Sequence, residues 1–259
     1  MTRFVLLALA LLLLVLIAIG TYQAIRIKRL VNIGQDLATA AKPYEQRPAT
    51  PTSTILVTGD SSAVGVGAAT PQESVAGRLG QRYPSATIEN TGHNGERVGG
   101  LLQKLIEVNQ GGSSTEPVAK PDAKKPYDLV LLQIGGNDLI HRTPFADLER
   151  DLPLLLDQAK KLSDQIVLIN GGNYRHIPMF PWPANLYFDR QSRLGMELFS
   201  RIAQEKGVAY VELYKPAAQD RDRNHKADYA ADQFHLNGTG YAWWFDGIVK
   251  AIENAGYKI

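Results

Sequence analysis

The feature that most restricts this chain is a long run without charge. From Phe4 to Ile25 no residue is charged, and from Phe4 to Ile19 every residue is apolar. In hydrocarbon no backbone N–H or C=O can be left unpaired, so such a run is confined to a helix, and about 20 residues suffice to cross a bilayer core. Arg3 precedes the run, and Arg26, Lys28 and Arg29 follow it. A cleaved signal peptide is the competing reading, with Ala18 and Gly20 as the small residues of a cleavage site. The apolar run exceeds the usual signal core of roughly 7–15 residues, which favours an uncleaved single-pass anchor over residues 1–29. Three basic residues after the helix outweigh Arg3 and the amine before it, so the charge rule favours a cytoplasmic domain by a narrow margin. An exported domain is the alternative.

Leu30, Ile33, Leu37 and Ala41 then recur at helical spacing. They predict an amphipathic extension whose apolar face packs on the domain or lies at the lipid interface. Lys42 to Ser53 carries Pro43, Pro48 and Pro51 and reads as a linker. The division is therefore an anchor at 1–29, a juxtamembrane helix and linker at 30–53, and one domain at 54–259. A domain of that size buries a full core without staples.

Composition removes several classes of function. A formal net charge of +2 makes no case for nucleic acid. The absence of cysteine removes disulfides, thiolate metal sites and a cysteine nucleophile. Five histidines are present without a His-Glu-x-x-His pair, so neither a metal nor another cofactor is expected.

From Thr54 the sequence alternates strand and helix signals. Strands are expected at Thr54–Thr58, Ala86–Asn90, Tyr127–Ile134, Gln165–Asn170 and Val208–Leu213. Helices are expected from Thr70, as cap, to Arg82, with Pro71 first and Glu73 closing a capping box. Others follow over Glu96–Asn109, from Thr143 and Pro144, over Asp189–Glu205, and from a cap at Asn237 to Ala255. Gly111–Pro126 reads as a surface insertion. Five strands alternating with helices predict a doubly wound parallel sheet, with its ligand site outside the carboxyl ends of the strands.

The chemistry-bearing residues fall at those ends. Gly59-Asp60-Ser61 alone is weak, because Gly, Asp and Ser after a strand commonly form a turn and a helix cap. Gly65, Gly67 and Thr70 lack the third glycine of a dinucleotide fingerprint, no Gly-Lys-Ser/Thr closes a phosphate loop, and the Gly-x-Ser-x-Gly elbow is absent. A nucleophilic serine needs a base and donors for an oxyanion. Asn137 offers a side-chain N–H, Gly95 lets a backbone N–H approach without a Cβ in the way, and Ser61 supplies its own N–H. Three Asp-x-x-His pairs compete for the base: Asp138 with His141, Asp222 with His225, and Asp232 with His235. His141 is too near Asn137 for both to converge on Ser61, and His225 sits in the charged run Asp220–Lys226. His235, just before the last helix, is the preferred base. Asp60 and Asp138 read as structural residues bonding nearby backbone N–H groups. For His93 and His176 a surface or loop-packing role is preferred over the alternative, contact with substrate.

In this order the blocks resemble the SGNH hydrolase superfamily. The first is Ile55-Leu-Val-Thr-Gly-Asp-Ser61, the second Asn90-Thr-Gly-His-Asn-Gly95, the third Gly135-Gly136-Asn137-Asp138, and the last Asp232-Gln-Phe-His235, with Leu236-Asn237 and Gly240-Tyr241 after it. The likeness spans about Thr54 to Ala255. It implies a three-layer α/β/α sandwich with a five-stranded parallel sheet (flavodoxin-like), a nucleophile at Ser61, a triad completed by Asp232 and His235, and oxyanion donors at Ser61, Gly95 and Asn137. One position departs: Ser62 stands where many members carry Leu.

For substrate, Ile177–Phe188 holds Met179, Phe180 and Trp182 among three prolines, and reads either as an acyl-chain wall or as a loop packed on its own domain. With the anchor, the first reading points to lipid-like esters such as lysophospholipids. Acetyl esters on carbohydrate are the alternative, and a tethered binding module without turnover is the alternative of another class.

Overall fold

The uncharged run and the stripe behind it form one uninterrupted helix, α1 (Thr2–Ala40). At 1.5 Å per residue it is about 58 Å long. This is seen in a computed structural model that describes residues 2–111, 125–214 and 225–259. No proline or glycine cluster separates the apolar part from the amphipathic part, so the helical hydrogen-bond ladder continues through Arg26–Arg29. Among the described residues α1 is the one helix long and apolar enough to cross a membrane.

The domain follows as β1 (Ser53–Gly59), α2 (Ser61–Val64), α3 (Val75–Arg82), β2 (Ala86–Asn90), α4 (Val98–Asn109), β3 (Leu129–Gln133), α5 (Gly136–Ile140), α6 (Phe145–Leu162), β4 (Ile166–Ile169), α7 (Ala184–Glu205), β5 (Ala209–Tyr210) and α8 (Gly238–Asn254). The sheet order is β2-β1-β3-β4-β5, and every pairing is parallel. The expected five-stranded α/β/α sandwich is thus the observed one.

Strand alternation sorts the core into two layers. Leu56, Val130, Leu132 and Leu168 face α4, α6 and α7. Ile55, Val57, Leu129, Leu131, Val167 and Ile169 face α3 and α8. Runs apolar on both faces are what a sheet covered on both sides requires. The order reverses between β1 and β3, and a crevice opens there at the carboxyl ends of the strands.

Three expectations are corrected. The helix expected to start at Thr70 begins at Val75. Pro71–Glu73 is a single 3-10 turn and the Thr70 side chain makes no capping bond. Ser74, extended at φ −67° and ψ 169°, ends that turn and caps α3 through Gly77 N–H. The proline-rich stretch is more than a linker: Gln46 pairs antiparallel with Ile88 and caps the free edge of β2, and its amide donates to the carbonyls of Tyr83 and Ala86. The helix expected from Asp189 starts at Ala184. Most of the Gly111–Pro126 insertion and of the Asp220–Lys226 run lies outside the described residues.

Candidate active site

The site begins where β1 ends. Gly59 has φ +136°, and a Cβ there would lie 1.9 Å from the Gln133 carbonyl oxygen. Only glycine lets β1 pass this close to β3 and turn. Asp60 then caps α2: its Oδ1 accepts from the Ser62 N–H at 2.8 Å and from the Ser62 hydroxyl at 2.7 Å. Ser62, the one departure in the first block, thus bonds the cap. Ser61 is left at the first position of α2, half-buried.

His235 reaches Ser61 from the other end of the chain. The turn before α8 is held by Ala230 N–H donating to His235 O and Asn237 N–H donating to Asp228 O. Asn237 caps α8 as expected, accepting from Thr239 and Gly240 N–H. Within the turn Gln233 adopts φ +58°. Asp232 is fully buried. Its Oδ1 accepts from the N–H groups of Phe234 and His235, both at 3.1 Å. Its Oδ2 lies 2.5 Å from His235 Nδ1, and His235 Nε2 lies 3.1 Å from Ser61 Oγ. Burial works against ionisation of Asp232, but the His235 hydrogen bond and charge and the two backbone N–H groups outweigh it and hold the carboxyl below its usual range. An ionised carboxylate can only accept, so Nδ1 carries the hydrogen and the Nε2 lone pair faces the Ser61 hydroxyl. That geometry can take a proton from Ser61.

The other two strand ends complete the site. Gly95 has φ +79°, and the space where its Cβ would stand is open. Asn137 donates through Nδ2 to Glu96 O at 3.0 Å, which ties the Gly95 loop to the end of β3 and leaves the second amide hydrogen. Asp138 differs from its expected local role. Its Oδ2 accepts from Val98 N–H, 40 residues away, at the amino end of α4, where a carboxylate also faces the positive end of the helix dipole.

Two cavities meet at Ser61, Asn137 and His235. The inner, about 100 Å³, runs beneath them to Ile169, Tyr174 and Trp243. The outer, about 310 Å³, is bounded by Gly95, Ile140, Met179 and Phe180. Of the three residues proposed to touch substrate, Met179 and Phe180 line the outer cavity, whereas Trp182 is 77% exposed and lines neither. His141 and His93 are exposed, and the side chain of His225 lies outside the described residues. Pattern reading missed four residues. Arg26, Leu30, Gly34 and Gln233 all adjoin the site. Leu30 alone carried a usable signal, in its helical stripe. Among the described residues no group of three or more His, Asp or Glu is placed to hold a metal ion.

Asp60 carries a pH signature. Burial pushes its carboxyl up to about 6, against the Ser62 hydrogen bonds that pull it down. Between roughly pH 4 and 6 the native state then binds more protons at Asp60 than the unfolded chain, so this group's contribution to stability falls as pH rises. Asp60→Asn keeps an acceptor for Ser62 and removes the titration. From pH 4 to 7 the stability of the variant relative to wild type should rise by up to about 3 kcal/mol. Denaturant melts in detergent check this, and a difference that stays flat with pH contradicts it.

Comparisons with known proteins agree with the fold. The family model of the GDSL-like Lipase/Acylhydrolase family matches residues 57–243. Among solved structures, TesA is 17% identical with a TM-score of 0.58, covering 78% of this chain and 99% of TesA. The psychrotrophic esterase EstA from Pseudoalteromonas sp. is 19% identical with a TM-score of 0.52, covering 78% and 97%. A catalytic mutant of Axe2, an acetylxylan esterase from Geobacillus stearothermophilus, is 18% identical with a TM-score of 0.55, covering 80% and 96%. No curated protein sequence matches. A family match over well more than half of the chain, on a sheet of the same fold, makes this chain a member of the GDSL-like lipase/acylhydrolase family and a hydrolase of ester bonds.

Proposed function

We propose that the chain is a membrane-anchored serine esterase that cleaves acyl esters through Ser61, His235 and Asp232. The observation that carries the reading is the chain of contacts from the buried Asp232 carboxylate through His235 to Ser61 Oγ, at 2.5 and 3.1 Å. Ser61 Oγ attacks the ester carbonyl carbon as its proton passes to His235 Nε2. The oxyanion is met by the N–H groups of Ser61 and Gly95 and by the second hydrogen of the Asn137 amide. Collapse breaks the bond to the alcohol oxygen, which leaves with the proton held on His235. Water, deprotonated by the same imidazole, then frees the acid from the acyl-enzyme.

A lipid-like acyl ester suits the outer cavity, whose walls include Met179, Phe180 and Phe234. A second reading, a carbohydrate O-acetylesterase, is favoured by the inner cavity of about 100 Å³, small enough to limit the acyl group. A binding module without turnover would have no use for a base poised on a hydroxyl. A fluorophosphonate should label the purified chain, and peptide mass spectrometry should find the adduct on Ser61. An unlabelled protein, or an adduct on another residue, would refute the mechanism.

A further inference from the structure

The amphipathic half of α1 does more than connect anchor to domain. Its inward positions are Gln23, Arg26, Ile27, Leu30, Ile33, Gly34, Leu37 and Ala38, a continuous stripe at helical period. Arg26 donates to the carbonyl oxygens of Pro178 at 2.8 Å and Met179 at 3.2 Å, and to Gln233 Oε1 at 2.5 Å. Met179 N–H in turn donates to Gln233 O. One guanidinium thus clamps α1 to both the Met179 loop and the turn carrying Asp232 and His235. Leu30 is buried among Leu139, Tyr174, Ile177 and Met179, so apolar burial helps hold the helix on the domain. At Gly34 the helix backbone runs against the site itself, since a Cβ there would lie 3.0 Å from Asp232 Oδ2. Asn94, beside Gly95, donates to Ala38 O at 3.0 Å.

The outer cavity lies between this helix and the Ser61 site, with Leu30, Val31, Gly34 and Ala38 as its wall on the α1 side. Its end at Leu30, Met179 and Phe180 is the end nearer the apolar run. From Ile25 to Gly34 is about 14 Å along the helix. A carbonyl held at Ser61 would therefore send its acyl chain along α1 toward the apolar segment, over a surface of aliphatic, methionine and phenylalanine side chains.

We propose that residues Arg26–Ala40 of α1 are the specificity-determining wall of a long-acyl-chain channel that opens toward the membrane-spanning segment. The proposal rests on the serine-esterase reading and names its substrate class: esters of long-chain acids.

The test is a p-nitrophenyl ester series from C2 to C16, assayed on the full chain in detergent and in nanodiscs. Val31 is 43% exposed and lines the channel. Val31→Trp should fill the channel and lower kcat/KM for C12–C16 by about tenfold or more, while C2–C4 stay within about twofold. Asn32→Trp, on the exposed face of the same turn, should change no chain length. An unaltered chain-length profile in both Val31→Trp and the smaller Val31→Phe overturns the proposal, as does a uniform loss across all lengths in both. A wild-type chain that hydrolyses no ester and takes no fluorophosphonate overturns the esterase reading, and this proposal with it.

Discussion

Ser61→Ala is expected to lower kcat for a short p-nitrophenyl ester by roughly 10⁴–10⁶-fold, with the fold untouched. Ser61 Oγ is the hydroxyl within hydrogen-bond reach of the His235 lone pair. Without it, the oxyanion donors remain but no nucleophile is activated. The structural cost should be small, because Ser61 is half-buried at the start of α2 and its side chain bonds His235 alone, while Asp60 and Ser62 carry the cap. Circular dichroism and the melting temperature should therefore match wild type. Activity above a few per cent of wild type would end the assignment of Ser61 as nucleophile.

His235→Ala should cost a comparable factor, and His141→Ala should leave most of the activity. Both histidines stand three residues after an aspartate, so the pair tests whether geometry or spacing makes the base. Only His235 touches both a buried carboxylate and Ser61 Oγ. His141 is an exposed residue at the end of α5, where its backbone N–H donates to Asn137 O. Asp232→Asn, nearly isosteric, should lower kcat by roughly 10⁴-fold, because an amide can turn its NH₂ toward Nδ1 and favour the wrong imidazole tautomer. Retained activity in His235→Ala with loss in His141→Ala would move the base to the loop beside Asn137.

How much of this was legible in the sequence follows from the range of the forces involved. The strands on both sides of the switch point read as nearly all-apolar, with Ile55–Val57 and Leu129–Leu132 at their centres, because a strand covered on both faces has no polar side to show. The Asn237 cap was readable because it is a contact among residues a few positions apart. The start of α3 was misread because two local caps competed. Thr70 with Glu73 fits a capping box, but Ser74 closes the better-bonded end at Gly77. Trp182 was included for its bulk and its neighbours, and bulk does not say which way a side chain faces.

By itself the sequence determined the helix at the amino end, the doubly wound sheet and the candidate residues Ser61, Gly95, Asn137, Asp232 and His235. Apolar periodicity and turn chemistry act over a few residues and leave their mark locally. Only the tertiary structure showed that Asp232-His235, rather than the equally spaced Asp138-His141, meets Ser61 across 174 residues of chain. It likewise decided that Arg26, read as a basic flank, clamps carbonyls more than 150 residues away. It also turned a helical stripe into a wall of the site. Those contacts join surfaces that meet only after the sheet has formed: a helical stripe shows that a face is buried, and not which distant segment covers it.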